Sequence, residues 1–383
     1  MRCLLRWLCL VSGVMLLGMT PILIMARLGH QNSAAWIAFS TLEGRGQALY
    51  RVLPDGRNLQ RLSSSIGNFR HPTWSPDGQE IAFVADLNDT TDIYRMPSAG
   101  APAEQVTHDY GNNIYPLWSP DGAWILFMYE SPRALYRIHP DGTDMRHLSQ
   151  IEALLSLPVW SQDGQWIGFE NQDILTGQSD IYKMRADGSS RTVMVSRQDQ
   201  PGMNIFPVWS PDGKWLAFVS NATIYRMATL GGLVEAIVQP LTASGPAYLG
   251  WSPDGKWITF VTRGSIYPDY RLYRVPAAGG EVEDITQIST GHYAAPQWSP
   301  DGEWLLFAGE VPSNRNPAPS RKVELWNIYK IHPDGTGRQL IITAAGPNPT
   351  PIWSPAINRT WQPLLLLLGG VLSLGFQRKL GLA

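Results

Sequence analysis

A phrase of ten residues recurs six times along this chain and constrains its fold more than any other feature. The copies read WSPDGQEIAF, WSPDGAWILF, WSQDGQWIGF, WSPDGKWLAF, WSPDGKWITF and WSPDGEWLLF, and they begin at Trp74, Trp118, Trp160, Trp209, Trp251 and Trp298. Successive copies begin 42 to 49 residues apart, a spacing typical of four-stranded propeller blades. The repeat therefore predicts one large closed domain rather than two or three independent ones.

The centre of the phrase predicts a tight turn between two strands. Pro presets φ for the first central position of such a turn, Asp can hydrogen-bond nearby backbone, and Gly tolerates positive φ. The apolar triplets that follow, such as Ile81-Ala82-Phe83, are typical of buried strands. Since catalysis rarely needs its residues six times around a ring, we interpret the Trp, Asp and Gly residues of the repeat as structural. They are Trp74, Asp77, Gly78, Trp118, Asp121, Trp160, Asp163, Trp209, Asp212, Trp251, Asp254, Trp298, Asp301 and Trp353.

A second phrase and the two ends of the array indicate how the ring closes. An apolar-Tyr-basic triplet occurs seven times, at 49–51, 93–95, 135–137, 181–183, 224–226, 272–274 and 328–330. Trp36 begins a second strand with no WSPDG before it, and Trp353 ends a first strand with no second strand after it. We expect these two incomplete parts to form one blade. The sequence thus predicts an all-β, seven-bladed propeller over residues 36–355, closed by the C-terminal inner strand.

Hydrophobic segments flank the repeat domain, and we expect both to be helical. Residues 1–26 carry Arg2 and Arg6 before an apolar run long enough to cross a bilayer, which favours an uncleaved signal anchor over a removed signal peptide. Residues 27–35 form a linker. The tail, 356–383, contains a shorter apolar run followed by Arg378 and Lys379. The tail is predicted to be a second span; the alternatives are a segment packed on the propeller and a processed sorting tail. Basic residues at both outer ends place the propeller outside the cytoplasm.

Charge and cysteine content exclude several classes of function. The formal net charge is −2, and no basic run with interleaved aromatic residues occurs, so we expect no nucleic-acid partner. The two cysteines, Cys3 and Cys9, both lie in the N-terminal apolar segment, which leaves none to form a disulfide within the repeats. No cysteine follows the apolar run, so a lipoprotein is not expected.

The repeat resembles that of a known family. The pattern WSPDG-x-W-(I/L)-x-F, followed by (I/L)-Y-(R/K) and a Gly-containing hairpin, is similar to the WD40-like propeller repeat of the TolB family, which tricorn and prolyl-oligopeptidase-type peptidases share. The resemblance covers residues 36–355 and implies a TolB-like fold and binding through protein contacts. TolB itself has an additional N-terminal domain and six blades, so its particular partners are not implied.

The sequence offers little support for an enzyme. A peptidase of the related type needs a separate hydrolase domain with a G-x-S-x-G elbow, and the chain has no room for one. The seven histidines form no metal-ligating motif, so we predict no catalytic residue, metal or cofactor. His139 and His332 precede outer turns and are expected to be solvated. A polysaccharide lyase or hydrolase that uses His71 and His292 remains the alternative.

The loops that enter each inner strand surround one mouth of the central channel, and they gather aromatic and amide side chains suited to binding a peptide or a glycan. The candidate binding residues are Phe69, Arg70, His71, Asn113, Tyr115, Asn204, Phe206, Tyr248, His292 and Tyr293. The alternative is that the aromatic rings only cap the channel. The Pro- and Asn-rich insertion at 311–326 is a second candidate binding loop.

Together these features predict a membrane-anchored, extracytoplasmic propeller that binds a protein or peptide partner without catalysing a reaction. The alternative function is a glycan-active enzyme or a glycan-binding protein that uses the channel mouth.

Overall fold

The computed structural model describes residues 35–43, 46–63, 67–87, 90–100, 102–109, 111–153, 156–238, 245–263, 270–286, 296–310, 326–343 and 350–355. Within these ranges every regular element is a β-strand, and the strands form seven four-stranded antiparallel sheets.

Each sheet is one blade, numbered here from the blade that begins the chain. Blade 1 contains β1 (Ile37–Glu43), β2 (Gly46–Val52) and β3 (Gln60–Arg61). Blade 2 contains β4 (Asn68–Trp74), β5 (Glu80–Leu87), β6 (Thr90–Pro97) and β7 (Glu104–Gln105). Blade 3 contains β8 (Asn113–Trp118), β9 (Ile125–Glu130), β10 (Arg133–Ile138) and β11 (Arg146–Gln150). Blade 4 contains β12 (Val159–Trp160), β13 (Trp166–Gln172), β14 (Ser179–Arg185) and β15 (Thr192–Val195). Blade 5 contains β16 (Asn204–Trp209), β17 (Trp215–Ser220), β18 (Thr223–Ala228) and β19 (Val234–Val238). Blade 6 contains β20 (Pro246–Trp251), β21 (Trp257–Arg263), β22 (Tyr270–Pro276) and β23 (Glu283–Asp284). Blade 7 contains β24 (Gln297–Trp298), β25 (Leu305–Glu310), β26 (Trp326–Ile331) and β27 (Gln339–Ile342). The last strand is β28 (Ile352–Trp353).

The seven-bladed fold and its mode of closure are confirmed. Strand β28 pairs antiparallel with β1, with Trp353 opposite Ile37 and Ile352 opposite Ala38, so the sheet order of blade 1 is β28-β1-β2-β3. The C-terminal strand therefore supplies the inner strand of the first blade. Closure in this way covers the sheet edges that an open array would leave unpaired.

In the six repeat turns the Asp carboxylate organises the hairpin. In the first copy, Asp77 Oδ1 accepts hydrogen bonds from Ser75 Oγ (2.6 Å) and from the Gln79 N–H (3.0 Å). Ser75 Oγ in turn accepts one from the Glu80 N–H (2.9 Å). Gly78 has a φ of 68°, which closes the turn. The same carboxylate contacts recur at Asp121, Asp163, Asp212, Asp254 and Asp301.

Stacked rings form the centre of every blade. The Phe of each second strand is less than 2% exposed and stacks on the Tyr of the apolar-Tyr-basic triplet, with ring centres 5.6 to 6.0 Å apart. The buried phenylalanines are Phe39, Phe83, Phe127, Phe169, Phe218, Phe260 and Phe307. The repeat thus encodes the same core seven times.

The basic residue of the triplet joins neighbouring blades. The guanidinium carbon of Arg226 lies 4.3 Å from the ring centre of Trp215, and its Nη1 donates a hydrogen bond to the Ala277 carbonyl of the next blade (2.7 Å). Blade 2 has Glu80 in place of this Trp, and Arg95 forms an ion pair with it at 2.7 Å. In the six other blades the basic residue lies over the aromatic ring, and in four of them it also donates to a carbonyl of the next blade, which explains why this position is Arg or Lys.

The two histidines expected in solvent are partly exposed and also have specific partners. His139 stacks on Trp124 and His332 on Trp304, each with ring centres 3.8 Å apart. The Nδ1 of His139 lies 2.9 Å from the Ala123 carbonyl oxygen. Each imidazole therefore packs on the indole of the neighbouring second strand. The order of residues in the sequence does not reveal this contact.

The propeller has two distinct faces. The WSPDG hairpins and the turns between third and outer strands lie on one, here called the hairpin face; the interblade loops and the turns between second and third strands lie on the other, the mouth face. Among the residues described, no helix has the length and apolar character needed to cross a membrane. The predicted hydrophobic segments at 1–26 and 356–383, and nearly all of the linker 27–35, lie outside the described residues.

Candidate functional site at the channel mouth

The inner strands of all seven blades line a central channel. One cavity of about 580 Å³ is bounded by inner-strand residues of blades 1, 2, 3, 4 and 7. A second, of about 740 Å³, is bounded by those of blades 4, 5, 6 and 7. Both volumes are of the size that ligand pockets have. The first cavity reaches the mouth face at His71, Tyr115 and Leu157, whereas the second extends toward the hairpin face at Ser210 and Pro253. The opening on the mouth face is the candidate site because the interblade loops with the predicted binding residues surround it.

Among the residues that the structure describes, four inner strands contain a bulge at the same place, three residues before the Trp of the repeat. The register shifts between Arg70 and Thr73, Ile114 and Leu117, Ile205 and Val208, and Ala247 and Gly250. The residues with left-handed backbone at these bulges are His71 (φ 52°), Tyr115 (φ 55°), Phe206 (φ 55°) and Tyr248 (φ 55°). Bulges of this kind are used to re-aim a side chain next to functional sites.

The left-handed conformation is unfavourable for residues of this type. A residue other than Gly with φ near +55° is uncommon, and bulky side chains adopt it least readily. Three of the four also precede Pro, which restricts the backbone of the preceding residue to extended conformations. Strained backbone persists where the surrounding structure imposes it, and it clusters at functional sites. Because the left-handed conformation occurs at the same position in four blades, it is a feature of the mouth as a whole.

The four rings form two pairs, each across a junction between blades. His71 of blade 2 lies 4.5 Å from Tyr115 of blade 3, and Phe206 of blade 5 lies 5.5 Å from Tyr248 of blade 6, both measured between ring centres. Tyr248 is 43% exposed. Leu157 of blade 4, three residues before its Trp, is 51% exposed and lies between the two pairs in blade order. The mouth thus presents aromatic and aliphatic surface to solvent.

Burial keeps the imidazole of His71 uncharged at neutral pH. Desolvation, reinforced by the charge of Arg70, lowers the pKa of His71 to about 4. Arg70 itself is paired with Asp86 at 2.5 Å. Burial raises the pKa of Asp86, but hydrogen bonds from Arg70, Asn68 and Thr91 outweigh this effect and hold it below its usual value. At this junction the uncharged ring of His71 therefore lies beside an arginine, Arg70, whose charge is balanced by Asp86.

Three of the predicted binding residues lie behind the mouth. Phe69 is 4% exposed and packs on Phe83. Asn113 and Asn204 are each 0% exposed. The Asn113 amide donates to Asp109 (2.7 Å), and the Asn204 amide donates to the Ser179 carbonyl (2.8 Å). These three buried side chains hold the loops of the mouth in place and are not part of its exposed surface.

A buried carboxylate that sequence reasoning missed helps to position Phe206. Glu170 is 0% exposed and accepts hydrogen bonds from the N–H (3.1 Å) and Oγ (2.6 Å) of Ser156. Ser156 Oγ accepts a hydrogen bond from the Phe206 N–H (3.0 Å). The sequence contained a sign of this role. Glu170 follows Phe169 in the buried second strand of blade 4, at the position where blade 2 has the apolar Val84.

The remaining candidates cannot be placed. His292, Tyr293 and residues 311–325 of the insertion lie outside the described residues. Among the residues that the structure does describe, no three His, Cys, Asp or Glu side chains are grouped so that they could hold a metal ion.

Comparison with solved structures places the fold among well-known propellers. TolB from Acinetobacter baumannii superposes with a TM-score of 0.54 at 20% identity, over 84% of this chain and 67% of that one. An oligogalacturonate lyase from Vibrio parahaemolyticus gives 0.58 at 14% identity, over 81% and 86%. A puromycin-hydrolyzing peptidase from Mycobacterium tuberculosis gives 0.58 at 16% identity, over 81% and 53%. Likeness at these identities shows the fold alone.

Sequence comparison is more specific about the family. Curated proteins give no significant match. The family model described as the TolB beta propeller domain matches residues 32–195 and 132–355, which together span the whole repeat array. The repeat phrases, the closed ring of seven blades and this match agree, and the chain belongs to the TolB β-propeller domain family.

Proposed function

We propose that the protein is a membrane-attached, extracytoplasmic propeller that binds a protein or peptide partner at the channel mouth and catalyses no reaction. The observation that carries the proposal is the set of four left-handed bulges at His71, Tyr115, Phe206 and Tyr248. A strained conformation that recurs at one rim, each time under a ring, supports a binding role more than a purely structural one.

The surface around the mouth suits a protein or peptide ligand. Met203, 46% exposed, lies three residues before Phe206, and its backbone bridges to Ser179 beside the β13–β14 turn. At the tip of that turn, Ile174 and Leu175 are 69% and 92% exposed. Apolar surface thus extends from the mouth onto the rim of blade 4. Aromatic anchors surrounded by such surface are typical of protein interfaces.

Attachment to the membrane is proposed from the sequence at the two ends. The apolar runs after Arg6 and before Arg378 each have basic residues on the side away from the propeller. Under the positive-inside rule this distribution favours a topology with both charged ends in the cytoplasm and the propeller outside it.

Site-specific photo-crosslinking tests the proposal. A benzoylphenylalanine at position 248 of the full chain, in cells of the source organism, is expected to trap a partner. The matched control is position 145, because Met145 is 41% exposed and lies on the hairpin face. Phe206→Ala should reduce the yield at 248, since it removes the ring that packs against the side chain at that position. Equal yields at 248 and 145, or none at 248, would contradict the proposal.

The second candidate is a protein that binds or cleaves a glycan. The Phe206–Tyr248 pair favours it, because the exposed ring of Tyr248 could also stack on a sugar, and the uncharged imidazole of His71 could bind a metal ion. Calorimetric binding of an oligosaccharide that is lost in Tyr248→Ala would support glycan recognition. Bond cleavage that is lost in His71→Ala would support an enzyme.

A further inference from the structure

Both ends of the described propeller leave from one point on the hairpin face. In blade 1 the Ser354 N–H donates to the Trp36 carbonyl (2.7 Å), and the Trp36 N–H donates to Ser354 Oγ (2.8 Å). Ser75 and Glu80 make the same pair of bonds in the first WSPDG hairpin, both at 2.9 Å. The two chain ends therefore occupy the place of a seventh hairpin turn.

This position determines which face would lie toward the membrane. Only residues 27–36 separate the first apolar run from β1, and ten extended residues span at most about 35 Å. If both apolar runs are membrane segments, as proposed above, the hairpin face is held near the bilayer and the channel mouth points away from it. The inference below rests on that proposed attachment.

An exposed apolar tip lies on the same face, on the far side of the ring. In the β18–β19 turn of blade 5, Leu230 is 99% exposed and Leu233 is 86% exposed. Gly231 and Gly232, with φ of 98° and 141°, form the bend between them. Thr229 fixes the base of the turn, since its N–H and Oγ donate to the Lys214 and Gly213 carbonyls, both at 2.9 Å.

The position and chemistry of the tip point to a lipid surface. In a ring of seven, blades 4 and 5 are the farthest from blade 1, so the tip lies across the propeller from the tethered ends. The lysine that contacts the turn, Lys183, is directed away from the tip, because its Nζ donates to the Thr229 carbonyl (2.8 Å) and lies over Trp166, and Lys214 pairs with Asp212 (3.6 Å). Attraction would therefore come from the leucines rather than from charge.

We infer that Leu230 and Leu233 insert into the interfacial region of the membrane that holds the chain ends. The propeller then has two supports on opposite sides of the ring, the tethers at blade 1 and the leucine tip at blade 5. It lies flat, with its hairpin face on the lipid and its mouth open to the surrounding compartment.

Fluorescence of a single probe on the full chain tests this arrangement. The only cysteines, Cys3 and Cys9, are replaced by Ser, and one new cysteine carries an NBD label, introduced by Leu230→Cys or by Leu175→Cys. Leu175 is the matched control because it is 92% exposed at a turn of the mouth face. The protein is reconstituted into phosphatidylcholine vesicles with and without brominated lipid.

The expected result is a blue-shifted emission at 230 that brominated lipid quenches, and an unshifted, unquenched emission at 175. Adding Leu233→Asp should abolish the shift at 230. High salt should leave the shift unchanged, because charge does not drive the contact. Equal emission and quenching at 230 and 175 would overturn the inference.

Flotation of the same vesicles after an alkaline wash separates the two proposals. A chain that remains with the vesicles but whose label at 230 is as solvated as that at 175 refutes only the insertion of the tip. A chain that does not remain with the vesicles refutes the membrane attachment, and with it the inference.

Discussion

Replacing Tyr248 by Gly is expected to leave the propeller more stable than replacing it by Ala, the reverse of the usual order. Both substitutions remove the same ring, which is 43% exposed. They differ in the backbone, because φ at this position is 55° and Gly adopts such values without steric cost. Tyr248 is the cleanest of the four bulge positions to test, since Leu249 rather than Pro follows it.

The size of the effect follows from two opposing terms. The left-handed conformation costs an L-residue about 1–2 kcal/mol. Gly in turn lowers stability by about 0.4–1 kcal/mol, because it makes the unfolded chain more flexible. The glycine variant should therefore have the higher free energy of unfolding, by up to about 1.5 kcal/mol.

Leu157 provides the internal control. It stands three residues before Trp160, as Tyr248 does before Trp251, and its φ is not positive. There Gly should be less stable than Ala by about 0.5–1 kcal/mol. Subtracting the Gly-to-Ala difference at 157 from that at 248 cancels the effect of Gly on the entropy of the unfolded chain. What remains is the cost of the left-handed backbone at 248, about 1–2 kcal/mol.

Urea unfolding of the four detergent-solubilised variants, followed by tryptophan fluorescence, measures these differences. If Gly is no more stable than Ala at position 248, relative to the same pair at 157, the bulge stores no strain and the main support for a binding role of the mouth is lost.

Three further predictions concern the repeat and the mouth. Ser210→Ala removes the acceptor of the Trp215 N–H and the donor to Asp212, so the free energy of unfolding should fall by about 1–3 kcal/mol in urea titrations. Arg226→Met removes the cation–π contact with Trp215 and the bond to the next blade, and should cost about 1–3 kcal/mol in the same assay. The pKa of about 4 for folded His71 lies below the value of about 6.5 expected for unfolded His. The unfolded chain therefore binds a proton first as the pH falls from 6.5 to 4, and stability should decline by up to about 3 kcal/mol in that window.

Each of these has a direct control. His71→Phe keeps a ring but cannot titrate, so its stability should change less between pH 6.5 and 4 than that of the wild type; equal slopes would refute the assignment. Ser210→Thr keeps the hydroxyl and should retain most of the stability that Ser210→Ala loses. Lys214→Met changes an exposed basic residue on the same face and should cost little; a loss equal to that of Arg226→Met would argue against a specific interblade contact.

The architecture could be predicted from the sequence because each blade is encoded by the same short phrases. Six WSPDG phrases determine the hairpins, and the incomplete phrases at Trp36 and Trp353 indicate the closure that β28 makes with β1. Local turn preference, strand composition and spacing all favour the same answer, as expected when each level of structure agrees with the others.

The details of the mouth could be predicted only in part. The sequence identifies which aromatic residues precede the inner strands, but the bulge under Tyr115 or Phe206 depends on how the inner strands turn into the channel. Asn113 and Asn204 have the composition of binding residues, yet their amides lie buried against loop carbonyl and carboxylate groups. Residue type predicts that an amide will form hydrogen bonds, and only packing decides with which partner.

The hydrogen bonds between Ser354 and Trp36 bring the two ends of the propeller together where a WSPDG turn would otherwise join β28 to β1. Inserting Asp-Gly between Pro355 and Ala35 would give Trp-Ser-Pro-Asp-Gly-Ala-Trp, the same seven residues that run from Trp118 to Trp124. A permutant joined there and opened at another WSPDG turn should close the same ring with its ends in a different blade. Folding of such a permutant would show that the position of the chain ends is independent of the fold. Under the attachment proposed above, that position would decide which edge of the propeller is held at the membrane.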